Sequence, residues 1–474
     1  MKLLEIPKEL LDPIMDDSCL EKADHAALAR SCKALKSLVT PRIYNSIDWS
    51  SQTQHHHRSL KLPAHLLLRT CMENTTLSSL TTSISIIGSQ SISISPRHTQ
   101  LLPLWRKDEP LPLSDSELKI LEVTGPIIAH PSLVPQWQDH LRSGNTNVYI
   151  TLLLSHLPKL KTLTLGHDFH RNNSHLSHLF RHAAQHSGSP QTPLSTLTSA
   201  TLLSGSSYGP DRDYFHPHAL SLLHFPHLTH LTSLLIAHRT LRFPLSTPPL
   251  CSTLISLSLP DCEIDESTLG QFLRCTPSLR RLHYDRHIDL DPQSSPPPAN
   301  LSEWEWYNLP SLRRALAPLE AQLTHLSLGV MFFASTAIDV GQDARWGVRP
   351  SFGFFSSFTS LVELEVPFVV FPGMKLDGER MDELLPLPSS LKKLTFRNDL
   401  AGHDTYLWEP EEALSWLELL LVSKDECALG LEQVGLVVGE MHEYEWNEGQ
   451  RAQFRRMCEE EGVRWSIRVD EGRD

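Results

Sequence analysis

The sequence predicts an α/β fold: a leucine-rich-repeat solenoid, a horseshoe of stacked strand-and-helix units, with a small all-α module at its N-terminal end. Three observations lead there. A short strand frame, L-x-x-L-x-L, recurs in series along most of the 474 residues. One repeat is nearly complete, with the helix that should back its strand. The first fifty residues instead carry apolar residues at helical spacing, the second such run being closed by a proline.

The frame appears nine times, as Leu118-Leu121-Val123, Leu160-Leu163-Leu165, Leu231-Leu234-Ile236, Leu254-Leu257-Leu259, Leu279-Leu282-Tyr284, Leu323-Leu326-Leu328, Leu361-Leu364-Val366, Leu391-Leu394-Phe396 and Leu431-Val434-Leu436. Alternation by two puts these residues on one face of a strand, and stacked strands pool them into a core that no single repeat can bury alone. Leu254, Leu257, Leu259, Cys262 and Ile264 fill the longer frame, and Leu279 opens the next repeat 25 residues on, a spacing that fits one strand plus one helix. Leu269, Phe272 and Leu273 supply that helix's apolar face. Other intervals between frames run to about 70 residues, and Ser/Pro/Gly-rich inserts at 187–193, 244–250 and 291–298 read as exposed loops. Near the end, 450–460 reads as a helix and Val463 to Val469 as an alternating strand, a plausible last repeat or cap.

In the N-terminal part, Ile6, Leu10 and Ile14 make a stripe behind Pro7, which costs nothing in a first turn. Pro13 should end or kink this helix. Asp24 should cap a second helix with Leu28, Cys32, Leu35 and Val39 on one face, stopped by Pro41. So small a core needs a neighbour to lean on. The segments Leu4-Glu-Ile-Pro-Lys-Glu-Leu-Leu, Ala23-Asp-His-Ala-Ala-Leu-Ala-Arg-Ser-Cys-Lys and Leu38-Val-Thr-Pro-Arg-Ile-Tyr together resemble the F-box of fungal F-box proteins. The resemblance implies docking on a Skp-type adaptor, and through it on a cullin, with Ile6, Pro7, Leu10, Ile14, Leu28, Cys32 and Val39 as the apolar docking and core set. Without it, the same helices read as a cap sealing a solenoid end. The expected domains are an F-box-like module at 1–49, a linker and solenoid entrance at 50–112, and the solenoid with its cap at 113–474. Within the entrance, Leu66 to Asn74 reads as a helix and Ser83 to Ile87 as a strand.

Residues between the inward leucines should line the concave face, where such arrays hold partners. They are Arg281, His283 and Asp285 on one strand, Glu363 and Glu365 on a later one, and Lys393, Thr395 and Arg397 on the next. Earlier strands offer Thr162, Thr164, Ser256 and Ser258. This mixed-charge surface suits a polypeptide. The net charge of -13, with 18 acidic against 7 basic residues from Ala401 onward, argues against a nucleic-acid footprint.

The sites with possible chemistry read as ordinary surface. His55 to His57 form a polar loop. His175, His178 and His182 share a helical face, placed on the outer side of a helix whose apolar face is Leu176, Leu179, Phe180 and Ala183. Gly205-Ser-Ser-Tyr-Gly fits G-x-S-x-G around Ser207, but Pro210 follows where that motif needs a helix. No phosphate loop, zincin or dinucleotide motif is present. No metal, cofactor or catalytic residue is therefore expected. The eight scattered cysteines read as reduced thiols, no apolar run is long enough for a membrane span, and the start is too charged for a signal peptide. A cytoplasmic or nuclear substrate receptor of a cullin-type ubiquitin ligase is the expected function, with a pure interaction scaffold as the rival. In neither is the chain itself an enzyme.

Overall fold

The computed structural model describes residues 6–16, 20–50, 64–87, 134–170, 173–187, 189, 192–203, 217–233, 251–289, 305–333, 347–348, 355–370, 386–399, 410–439 and 446–470. The chain forms two compact units, the first holding the described residues up to 203 with Leu220–Leu228, the second holding 217–219 and those from Thr229 on.

The first unit begins with three helices, α1 (Lys8–Met15), α2 (Lys22–Ser31) and α3 (Lys33–Asn45). Leu11, Met15, Leu35 and Val39 form their core, with Ile6, Leu20, Leu28, Ala29, Leu38 and Ile43 packed against it. Arg42 on α3 binds Asp12 at 2.9 Å and Asp16 at 2.6 Å, tying α3 to α1, and these carboxylates raise its pKa, the Asp16 hydrogen bond foremost.

Several expectations are corrected here. Pro13 and Pro41 lie inside α1 and α3 rather than ending them. Each is flanked by packing that offsets the lost hydrogen bond: buried Leu11 and Met15 around Pro13, and Val39 with the anchored Arg42 around Pro41. The expected second helix is two helices, because Cys32 is extended (φ -159°, ψ 161°) and caps α3, its sulfur accepting from the Leu35 N–H. Glu21 caps α2, with Asp24 three residues in, completing a capping box.

Strand β1 (Ser46–Ser50) follows α3 directly and pairs in parallel with β2 (Ser83–Ile87). The Thr81 hydroxyl donates to the Tyr44 carbonyl at 2.9 Å and the Thr82 N–H to that of Asn45 at 2.8 Å, so the thin helical core leans on the sheet. β2 pairs with β3 (Thr162–Leu165), and β3 with β4 (Ser199–Leu202), all parallel. Helices Ala64–Glu73, Val134–Arg142, Thr146–Ser155 and Ser174–Gln185 lie between these strands in sequence.

The second unit contains β5 (His230–Ser233), β6 (Ser256–Cys262), β7 (Arg281–Asp289), β8 (Glu305–Tyr307), β9 (His325–Phe333), β10 (Gly347–Val348), β11 (Glu363–Pro367), β12 (Lys393–Arg397), β13 (Gln433–Gly439) and β14 (Arg464–Asp470). Apart from the small β8–β10 pair, they form parallel neighbours in the order β5-β6-β7-β9-β11-β12-β13-β14. Leu231, Leu257, Leu282, Leu326, Leu364, Leu394 and Val434 stand in register across seven strands, each at most 2% exposed. Burying each such side chain contributes roughly 1.5–3 kcal/mol, so this row is the unit's spine. Behind it, helix Glu266–Leu273 buries Leu269, Phe272 and Leu273. A Cβ on Gly270 would stand 3.2 Å from that of Ala315, so glycine lets this helix approach Leu309–Leu316 closely. Arg286 takes an inward position and pairs with Glu266, while the buried Tyr284 hydroxyl donates to the Ile264 carbonyl at 2.7 Å.

The frame around Leu118, the inserts at 244–250 and 291–298, the loop at His55 to His57 and the Ser207 motif lie outside the described residues. Among the described cysteines, Cys32, Cys71, Cys251, Cys262, Cys275, Cys427 and Cys458 are free thiols. No described helix is long and apolar enough to cross a membrane.

Candidate functional site

All-parallel sheets are usually covered on both faces, and their strands are then continuously apolar. These strands alternate instead, with burial patterns such as intermediate-buried-intermediate-buried in β3 and a similar start to β11. Helices cover one face, and the other carries polar side chains. In the second unit, that polar face forms a groove of about 160 Å³ lined by residues of β6, β7, β9, β11 and β12.

Register places the lining side chains in rows. Ser256, Arg281, His325, Glu363 and Lys393 form one row; Ser258, His283, Ser327, Glu365 and Thr395 form the next. Of the residues read from sequence as the target-binding face, Arg281, His283, Glu363, Glu365 and Lys393 line the groove. His325 and Ser327 belong with them, at the same alternating positions of a strand whose leucine frame was legible.

Asp285 and Arg397, expected to present themselves to a partner, are corrected to supporting roles. Their side chains are 6% and 8% exposed. The Arg397 guanidinium donates to Asp399 at 2.8 Å and to Glu365 at 3.0 Å, and it stands 3.7 Å from Asp285. Glycine makes this reach possible: a Cβ on Gly329 would fall 2.1 Å from Asp285 Oδ1 and 3.2 Å from Arg397 Cζ. Arg468 on β14 adds a second cation at Glu365, 3.2 Å away. Asp399 also accepts the Val330 N–H at 3.0 Å. Burial outweighs Arg397 at this carboxyl and pushes its pKa up to about 6. The three carboxylates carry the Arg397 pKa upward, against the opposing effect of burial.

Ser258 Oγ, His283 and Asp285 are linked in series, at 3.0 Å and 2.8 Å, the order of a nucleophile, base and orienting acid. Acyl transfer further needs donors aimed at a developing oxyanion. Here the neighbouring strands occupy both sides of β6 and β7, so their backbone N–H groups are committed to the ladder. The series fixes the His283 ring in the groove wall.

The adaptor-binding set read from sequence separates into two environments. Val39 is in the core, and Leu28 and Ile6 pack against it. Leu10 and Ile14 are 60% and 46% exposed, while their neighbours Leu11 and Met15 are buried. Pro7 is exposed, and Cys32 is an exposed helix cap. Helix α1 is therefore apolar on its outer face as well as its inner one.

The histidine helix is corrected in one respect. His175 is buried, with its Nε2 2.8 Å from His140 Nδ1 and its ring edge-on to Trp137. Burial, then the His140 and His178 charges, lower its pKa to about 4, so it is a neutral packing residue. No group of three or more ligating side chains suited to a metal occurs among the described residues.

No protein-family model and no curated protein matches the chain. Among solved structures, a TLR13–ssRNA13 complex aligns over 61% of this chain at 14% identity, with a TM-score of 0.17. The chain spans about half of that structure, matching 48% of its length. At that score the alignment carries no argument about this protein.

Proposed function

We propose that this chain is a non-catalytic receptor that holds a segment of a protein partner on the open polar face of its second unit. The observation that carries this reading is the groove itself, where alternating side chains of five parallel strands converge on a side the helices leave uncovered. We read both units as stretches of leucine-rich-repeat solenoid, on the strength of the inward leucine row. The groove mixes hydroxyl, imidazole, carboxylate and cationic groups, which can pair with the backbone and side-chain polar groups of a bound polypeptide.

The helical module would join this receptor to a ubiquitin ligase. Its support is the F-box resemblance, together with a helix α1 that exposes Leu10 and Ile14 beside Pro7. Such a receptor acts by proximity, the transfer chemistry belonging to other subunits, and it would work in the cytosol or nucleus. Co-purification of the full chain with a Skp-type adaptor and a cullin is the expected result. Pro7→Glu with Ile14→Glu should abolish it while leaving the fold intact, and retention of the adaptor by that variant would overturn the ligase reading. For the groove, proximity labelling should recover a set of neighbours that Glu363→Lys with Lys393→Glu removes, with adaptor binding unchanged. An unaltered neighbour set would refute the receptor role.

A further inference from the structure

We propose that the β6–β9 end of the groove is a carboxylate-binding subsite, centred on Arg281, that takes an Asp or Glu side chain of the bound polypeptide. The inference rests on the reading of this face as a polypeptide-binding surface and names the chemistry it selects.

Arg281 is exposed, lines the groove, and has no carboxylate partner among the described residues. Among the described residues, each acid of the groove and its wall is already supplied with basic groups. Glu363 faces His325 at 3.4 Å and Lys393 at 3.8 Å. Glu365 holds Arg397 and Arg468, while Asp285 holds His283 at 2.8 Å and stands beside Arg397. A carboxylate arriving at Arg281 therefore displaces no existing ion pair.

Its surroundings supply the remaining hydrogen bonds. Ser256 neighbours Arg281 in register, and neighbouring strands run about 4.8 Å apart, so its hydroxyl is within reach of an anion seated on the guanidinium; His325, on the other side of Arg281, stays with Glu363 and Thr324. The planar fork of arginine matches a carboxylate through two parallel hydrogen bonds. The charge count also selects this anion. One uncompensated cation balances a monoanion, whereas a phosphomonoester carries about -1.5 to -2 and calls for a cluster of arginines.

The test is selection from a phage-displayed library of random peptides against the full chain. An acidic residue should become fixed at one position of the selected peptides. Arg281→Glu should weaken those peptides about tenfold or more and, on reselection, replace the acid with Lys or Arg; Arg281→Lys should keep the acidic preference. Since Arg281 is exposed, thermal melting should be the same for both variants, and Arg281→Gln provides a further neutral comparison. Peptides blocked by Lys393→Glu but lacking an acidic position, or indifferent to Arg281→Glu, would overturn the subsite and leave the polypeptide face standing. Tighter binding when phosphoserine replaces the selected acid would overturn the assignment to a carboxylate. Failure to select any peptide, or peptides insensitive to both variants, would overturn the face and the subsite together.

Discussion

A single guanidinium organises the deeper side of the groove. Arg397 reaches across two strands because Gly329 leaves the space over which it lies, and this has a direct consequence. Gly329→Ala must push the Asp285 carboxylate off His283 and away from Arg397, at a cost of about 1–3 kcal/mol typical of overpacking. Urea denaturation should show this loss, and an unchanged midpoint would mean that the network is not held as described. Asp399 gives a pH signature. Its folded pKa, pushed up to about 6 from an ordinary value of 3.8, means that the folded chain binds the proton more tightly than the unfolded one. The contribution of this group to stability is therefore most favourable below about pH 4 and declines as pH rises to about 6. Relative to the wild type, Asp399→Asn should gain stability over that window, by up to about 2–3 kcal/mol. Paired denaturation curves at pH 4.5 and 7 would read it, and a pH-independent difference would exclude it. The sequence showed Arg397 and Asp285 as surface positions by alternation alone. It could not show their burial, which depends on a missing side chain two strands away and on Asp399 beyond the strand end.

Helix α1 makes the same point for an element. Its sequence places Ile6, Leu10 and Ile14 on one stripe and Leu11 and Met15 on another, and a short helix can bury either. The tie from Arg42 to Asp12 and Asp16 fixes the choice, turning Leu11 and Met15 inward. Leu11→Ala or Met15→Ala should therefore cost about 2–5 kcal/mol, whereas Leu10→Ala and Ile14→Ala should stay within about 0.5 kcal/mol of wild type. Thermal melts of the four variants would separate the stripes, and a reversed order would mean that the helix packs the other way round. The strands were more legible than the helices. Leu163, Leu257, Leu282, Leu326, Leu364 and Leu394 were readable from a fixed spacing, because a strand face needs nothing but alternation. β4 escaped that reading because Ala200 stands where the frame has leucine. Arg286 escaped because a buried cation at an inward position makes sense once Glu266 is seen beside it.

Across the whole chain the question is which class of polymer the proposed receptor face suits. Binding to a nucleic-acid backbone is driven by counterion release and needs cations free to meet phosphates. Here the formal charge is -13, and the groove's Lys393, with Arg397 and Arg468 beside it, already faces carboxylates. Arg281 is one exposed cation, enough to position a side chain but far short of a phosphate track. Single-stranded RNA should therefore show no saturable binding to the full chain in fluorescence anisotropy at about 150 mM salt. Any weak signal at low salt should vanish as salt is raised. Saturable binding at physiological salt, lost on Arg281→Glu, would put phosphates on this face and sink the polypeptide reading, since the charges that balance one another within the groove would then have to separate to receive them.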